Sequence, residues 1–238
     1  MIDKISQNLA EAVSAVKDGA TVLIGGFGDA GMPTELVNAI LHQGTTHLTV
    51  VSNNVGSGET GLASLIRERR VRRIICSYPR VVDGGANPFE PLFRAGEIDL
   101  ELVPQGTLAE RLRAGGAGIP AFYTPTGVGS ELCRDKETRS FCGRDYVLEH
   151  AIKGDVALIK AEVADRWGNL VYRKAARNFG PVMASAASVT IAQVRRIAPL
   201  GGLDPEAIVT PGIFVTSVVH VPNPENEMRA SAAVESAR

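Results

Sequence analysis

The stretch VLIGGFGDAGMP, running from Val22 to Pro33, decides how the fold is read. An apolar run ends in a glycine-rich loop, and Gly26, Gly28 and Gly31 fall at the spacing G-x-G-x-x-G. After the loop, Pro33 suits a first helical position, Leu36, Val37, Ile40 and Leu41 recur at helical spacing, and Gly44 supplies a stop. Before it, Ile5, Leu9, Val13 and Val16 predict an amphipathic helix over 5–17 that feeds a buried strand from Thr21 to Ile24. The unit is strand, glycine loop, helix.

The same cadence returns along the chain. Strands are predicted from Leu48 to Ser52, Val71 to Ser77 and Leu100 to Val103, with helices from Leu62 to Arg69 and around Phe89 to Arg94. Alternation at this spacing predicts an α/β fold: a mainly parallel sheet flanked by helices on both faces, in three layers. Thr107 and Glu110 form the pattern T-L-A-E, read as a capping box that opens a helix immediately after PQG. A strand follows from Ala121 to Thr124, and the polar segment near 130–150 reads as an edge excursion with a hairpin. Further strands are expected at Val156 to Lys160, Val189 to Val194 and Ile213 to Val219, with a turn at Asp165 to Asn169 and a helix opened by Pro181. Residues 1–222 read as one domain and 223–238 as a flexible tail.

Composition excludes several classes. At 238 residues, with 45% hydrophobic and 21% charged residues, the chain is of ordinary globular make-up. A formal net charge of −1 removes the broad positive field of a general nucleic-acid binder. The N-terminal segment is charged, and the longest uncharged span, Leu36 to Gly58, is broken by histidine, glutamine and asparagine, so no signal peptide or membrane span is read and a cytoplasmic location is expected. Cys76, Cys133 and Cys142 lack C-x-x-C spacing, and His42, His47, His150 and His220 form no metal-binding pair, so neither a disulfide framework nor a metal is expected.

In an open parallel sheet, ligands bind beyond the carboxyl ends of the strands. That rule selects four loops: GGFGDAGMP, SNNVGSGE, SYPRVVDGG and PQGT. A dinucleotide site requires an acid at the end of the second strand, where this chain has Ser52, Asn53 and Asn54. The glycine loop is therefore read as lining some other ligand.

The wider string, Asp18 and Gly19, then Val22 to Ile24, then Gly25, Gly26 and Phe27 through Gly31 to Pro33, resembles the signature of the family I CoA-transferases in their alpha, or A-type, subunits. The likeness continues through SNN at Ser52 to Asn54, PQGTLAERLRAGGAGIPAFYTPTG from Pro104 to Gly127, and DRWGNLVYRKAARNFGP from Asp165 to Pro181, and so covers nearly the whole chain. Within the family, A-G-M-P in the first loop and YRKAARNFGP resemble the branch that uses 3-oxoadipate more than the acetoacetate-using branch.

The resemblance implies a ping-pong transfer of CoA from succinyl-CoA to 3-oxoadipate, in aromatic-compound degradation, through a glutamyl-CoA thioester. CoA thioester is then a substrate, with no permanently bound cofactor. The family's glutamate lies in an S-E-N-G segment of a partner B-type subunit, and no S-E-N-G occurs here, so the chain alone is expected to be inactive. By resemblance, Gly25, Gly26, Phe27, Gly28, Asp29, Ala30 and Gly31 lie along the CoA ester, and Gln105 supplies an amide donor supported by Asn53 and Asn54. The asparagines serve equally as turn formers. Phe27 is read as a packing anchor for the loop.

Glu59 is an internal candidate nucleophile, set against its reading as an acid in the first turn of the next helix. Arg80 is a candidate clasp for the remote carboxylate of a 3-oxoadipate or succinyl group, set against a surface salt bridge. The arginine run from Arg67 to Arg73 reads as a solvated face at a helix end. Three further readings stay open: a CoA-transferase for acetoacetate or another short 3-oxoacid, a sugar-phosphate isomerase or deaminase on a similar fold, and a protein that only holds CoA.

Overall fold

The computed structural model describes residues 2–80 and 87–224. Strand β1 (Thr21–Ile24) is followed by helix α2 (Thr34–Gln43), β2 (Leu48–Ser52), α3 (Leu62–Arg67), β3 (Val71–Cys76), α4 (Phe89–Arg94), β4 (Asp99–Leu102) and α5 (Gln105–Ala117). A short α1 (Leu9–Val13) precedes them. The second half supplies β5 (Ala121–Thr124), β6 (Thr138–Phe141), β7 (Arg144–His150), β8 (Gly154–Ala164), β9 (Leu170–Val171), α6 (Gly180–Ala186), β10 (Ala187–Ile197) and β11 (Ser217–His220).

The main sheet has the order β11-β10-β8-β1-β2-β3-β4, all parallel, with β9 added antiparallel to β8. Alternate residues of each strand enter different cores. Val22 and Ile24 of β1 join Leu36, Ile40, Leu62 and Ile66 on one face, while Leu23 joins Leu108, Leu112 and Met183 on the other. Helices α2 and α3 therefore cover one face, and α5 and α6 the opposite one, as the repeating cadence predicts. Sequence neighbours run outward from β1 on one side, and the later strands occupy the other. The order reverses at β1, and the glycine loop leaves the sheet there.

Several expectations are corrected. The helix expected over 5–17 shrinks to α1, because Ile5 forms a parallel bridge with Val218 and Lys4 and Ser6 exchange backbone hydrogen bonds with that strand. Asn8 then caps the shortened helix, its Oδ1 accepting from Glu11 N–H at 2.9 Å. The T-L-A-E pattern is not a cap: α5 starts at Gln105 with Pro104 at its N-cap, and Thr107 is buried inside the helix. β5 leaves the main sheet and pairs antiparallel with β7, since the downstream hairpin β6–β7 supplies a nearer partner. The last strand begins at Ser217, because Gly212–Phe214 forms a 3-10 turn. The expected tail from 225 onward lies outside the described residues. Among the described residues, no helix is long and apolar enough to cross a membrane.

Candidate functional site

Described residues from each of the four loops selected by the strand-end rule line one cleft of about 650 Å³. The β1 loop contributes Phe27, Gly28 and Asp29, and the β2 loop contributes Asn53, Asn54, Gly56 and Ser57. Ser77, Tyr78 and Arg80 come from the end of β3, and Gln105 from the first turn of α5.

Asn53 is the fixed point of this arrangement. It is only 4% exposed, and its backbone carbonyl accepts from Ser77 N–H at 3.2 Å and from Tyr78 N–H at 3.0 Å, joining the β2 and β3 loops. Its side-chain Oδ1 accepts from Gln105 Nε2 at 2.7 Å. One amide hydrogen of Gln105 is thereby spent on holding the group, and the second makes no hydrogen bond with a described residue. Gln105 also stands at the positive end of the α5 dipole.

Asn54 follows the turn-forming reading. Its Oδ1 accepts from Gly56 N–H at 2.9 Å, while its backbone carbonyl accepts from Ser52 Oγ at 2.6 Å. Phe27 is not a packing anchor: it is 53% exposed at the cleft wall, because the two-residue tip between Phe27 and Ala30 projects from the fold. Gly25, Gly26 and Gly31 are buried behind that tip, and Ala30 turns to a smaller depression beside Lys160, Arg173 and Lys174.

Glu59 does not line the cleft. It precedes α3 in an exposed loop, outside the helix's first turn, and pairs with Arg67 at 3.4 Å. The arginine run is likewise turned elsewhere: Arg69 meets Glu97 at 2.6 Å, Arg73 meets Glu101 at 2.6 Å, and Arg70 donates to Gly44 O at 3.1 Å. Arg80, by contrast, lines the cleft and forms no ion pair with a described residue.

Cys76 ends β3, buried in the core one residue before the cleft wall at Ser77. Burial pushes its thiol up to about 12, partly opposed by a hydrogen bond from the Tyr78 backbone, so it stays protonated and is no nucleophile. Asp29 is the single carboxylate among the described lining residues.

Reading the sequence residue by residue does not assign Ser57, Ser77 or Tyr78 to the wall, nor Asn178 behind the glycine loop. Tyr78 stands in the quoted loop SYPR, and Asn178 in YRKAARNFGP, so a signal is present for both without a role attached.

Residues 6–221 match the family profile described as Coenzyme A transferase. The chain belongs to this family. It is 58% identical to the A-type subunit of the 3-oxoadipate CoA-transferase from Acinetobacter baylyi, over 93% of this chain and 96% of that one. It is 55% identical to the protein of the same name from Pseudomonas putida, over 93% and 95%. The corresponding A-type subunit of a probable succinyl-CoA:3-ketoacid coenzyme A transferase from Bacillus subtilis is 50% identical over 91% and 89%.

Two solved structures share the fold. An acyl-CoA transferase from E. coli O157:H7 aligns with a TM-score of 0.82 at 23% identity, covering 94% of this chain, which spans only 51% of that one. Glutaconate coenzyme A-transferase from Acidaminococcus fermentans aligns with a TM-score of 0.80 at 24% identity, over 92% and 76%.

Proposed function

We propose that the chain is the A-type subunit of a heteromeric CoA-transferase that moves CoA from succinyl-CoA to 3-oxoadipate, and that a B-type subunit brings the nucleophilic glutamate. The observation that carries this reading is the composition of the cleft: prearranged amide donors converge there, yet Asp29 is the only described carboxylate. The cleft is half of a site. The two relatives above 50% identity that carry the 3-oxoadipate name support the choice of acceptor.

In the reaction, a carboxylate oxygen of the partner's glutamate attacks the thioester carbonyl. The C–S bond breaks, CoA leaves as thiolate and a mixed anhydride forms. The thiolate then attacks the glutamyl carbonyl and succinate leaves. The acceptor's carboxylate repeats the two steps in reverse, giving 3-oxoadipyl-CoA and the free glutamate. A carboxylate is a weak nucleophile toward a thioester, so stabilisation of each oxyanion carries much of the catalysis.

This chain's contribution is donors held in place. The free N–H of Gln105 is aimed by its bond to Asn53, and the tip of the glycine loop offers backbone N–H groups along the same wall. Arg80 takes the acceptor's remote carboxylate, a group that acetoacetate lacks. CoA enters and leaves as substrate.

The test is reconstitution with the B-type partner, assayed with succinyl-CoA against 3-oxoadipate and acetoacetate separately. Neither chain alone is expected to turn over, and together they favour 3-oxoadipate in kcat/KM. Turnover by this chain alone would falsify the half-site reading. Preference for acetoacetate transfers the assignment to the alternative reading, a CoA-transferase for acetoacetate or another short 3-oxoacid.

A further inference from the structure

We infer that Asn178 is a positioning residue for the transfer site, a clamp that sets the glycine-loop tip without touching the ligand. This rests on the reading above that the loop's backbone serves the reacting ester.

The tip is a minimal hairpin. Phe27 N–H donates to Ala30 O at 2.9 Å and Ala30 N–H donates to Phe27 O at 3.2 Å, leaving Gly28 and Asp29 at the turn. The N–H groups of Gly28 and Asp29 make no hydrogen bond with a described residue, and both residues line the cleft. They are donors held in reserve. A hairpin this short has no stability of its own, so something outside it must fix its tilt.

The Asn178 carboxamide holds both arms at once. Its Oδ1 accepts from Gly26 N–H at 3.1 Å, before the tip, and its Nδ2 donates to Ala30 O at 2.9 Å, after it. The same nitrogen donates to Ala175 O at 3.0 Å, and Oδ1 also accepts from Phe179 N–H at 2.7 Å, so neither amide hydrogen is left over. No other side chain bridges the two arms among the described residues.

The surroundings are shaped around that grip. Asn178 sits at φ +20 and ψ −115, a sparsely populated region that costs energy for any residue with a Cβ. Gly31 has φ +75, and a Cβ there would lie 2.3 Å from Ala176 O and 2.8 Å from Asn178 Nδ2. The 3-10 turn at Lys174–Arg177 is thus pressed against the loop with no room between them. Asn178 does not line the cleft, so its effect on chemistry passes through the loop.

Asn178→Gly separates clamp from scaffold, because glycine accepts the strained backbone while deleting the carboxamide. In the reconstituted complex, kcat is expected to fall about 10- to 100-fold, the range for displacing a catalytic group by up to an ångström. KM for 3-oxoadipate stays within about twofold, since ground-state binding is not what is lost, and Tm falls only modestly because relief of backbone strain offsets part of the lost hydrogen bonding. Hydrogen exchange in the peptide covering 25–33 speeds up.

Asn178→Asp keeps the acceptor for Gly26 but turns an oxygen toward Ala30 O and Ala175 O. It is expected to show the same faster exchange, and it decides the matter if the glycine variant does not fold. Wild-type kcat, unchanged exchange over 25–33, or a kcat loss fully matched by lost Tm overturns the clamp. If the wild-type pair turns over no 3-oxoacid, the functional reading fails, and the exchange measurement still decides the clamp.

Discussion

At the residue scale, the proposed role of Arg80 makes a sharp distinction between acceptors. Arg80 places a guanidinium on the cleft wall, and a guanidinium matches a carboxylate bidentately. A charge-assisted hydrogen bond contributes about 1.5 kcal/mol at the low end suited to an exposed group, which is roughly tenfold in binding. Arg80→Ala is therefore expected to raise KM for 3-oxoadipate about tenfold, with little change in kcat and an unchanged kcat/KM for acetoacetate. Steady-state kinetics with the two acceptors checks this, and an equal loss for both would remove Arg80 from recognition. At this scale the sequence is readable where chemistry is local: Gln105 and Asn53 do meet, and Asn54 makes the turn its side chain favours. Phe27 departs from its expected packing role because exposure depends on where the whole tip projects, and Asn178 carries no local sign of its proposed role because the two loop residues it grips, Gly26 and Ala30, lie 152 and 148 positions away.

At the scale of elements, α5 shows why glycine in a helix can be structural. It binds the main sheet to the small one: Arg111 meets Glu101 at 2.5 Å, and its Nε donates to His150 O at 2.6 Å. Burial alone would raise the Glu101 carboxyl, but the hydrogen bonds from Arg111 and Arg73 outweigh it and hold the group below its usual range. Gly115 permits this close approach, since a Cβ there would lie 2.0 Å from Ile152 O. Replacing a helical glycine by alanine normally stabilises by about 1 kcal/mol. Here the backbone carbonyl cannot move aside, so Gly115→Ala is expected to destabilise by about 1–3 kcal/mol, the usual range for overpacking. Thermal melts should show Tm lowered by about 2–4 °C per kcal/mol; an unchanged or raised Tm would show that α5 can shift. The glycines GG are visible in the sequence, but the Ile152 carbonyl that requires one of them is not. The same limit applies to α1 and β5: local periodicity and spacing place both segments, while partners distant in sequence or newly formed by a hairpin set their final form.

For the whole molecule, the parallel sheet is legible because residues of β1, β2 and β8 serve two cores, and that demand leaves nearly continuous apolar runs. The two cores also share an alkaline weakness. Cys76 is buried in the core on the α2 and α3 face, and Tyr172 packs against the core on the α5 and α6 face. Burial pushes the Tyr172 hydroxyl from 10.0 up to about 12, partly opposed by its hydrogen bond with Thr210, and burial pushes Cys76 from 9.0 to about 12. An unfolded chain releases these protons near the ordinary values, whereas the native fold retains them. Stability from both groups is therefore fully present below pH 9 and is lost as pH rises toward 12. Within its window each group lowers stability by up to about 1.4 kcal/mol per pH unit. Denaturant unfolding between pH 7 and 11 should show a plateau and then a fall that begins above pH 9 and steepens above pH 10. In the double variant Cys76→Ala, Tyr172→Phe, the plateau sits lower, because a small void forms and the Thr210 bond is lost, but the alkaline slope is shallower. An undiminished slope would place the alkaline sensitivity outside the two cores.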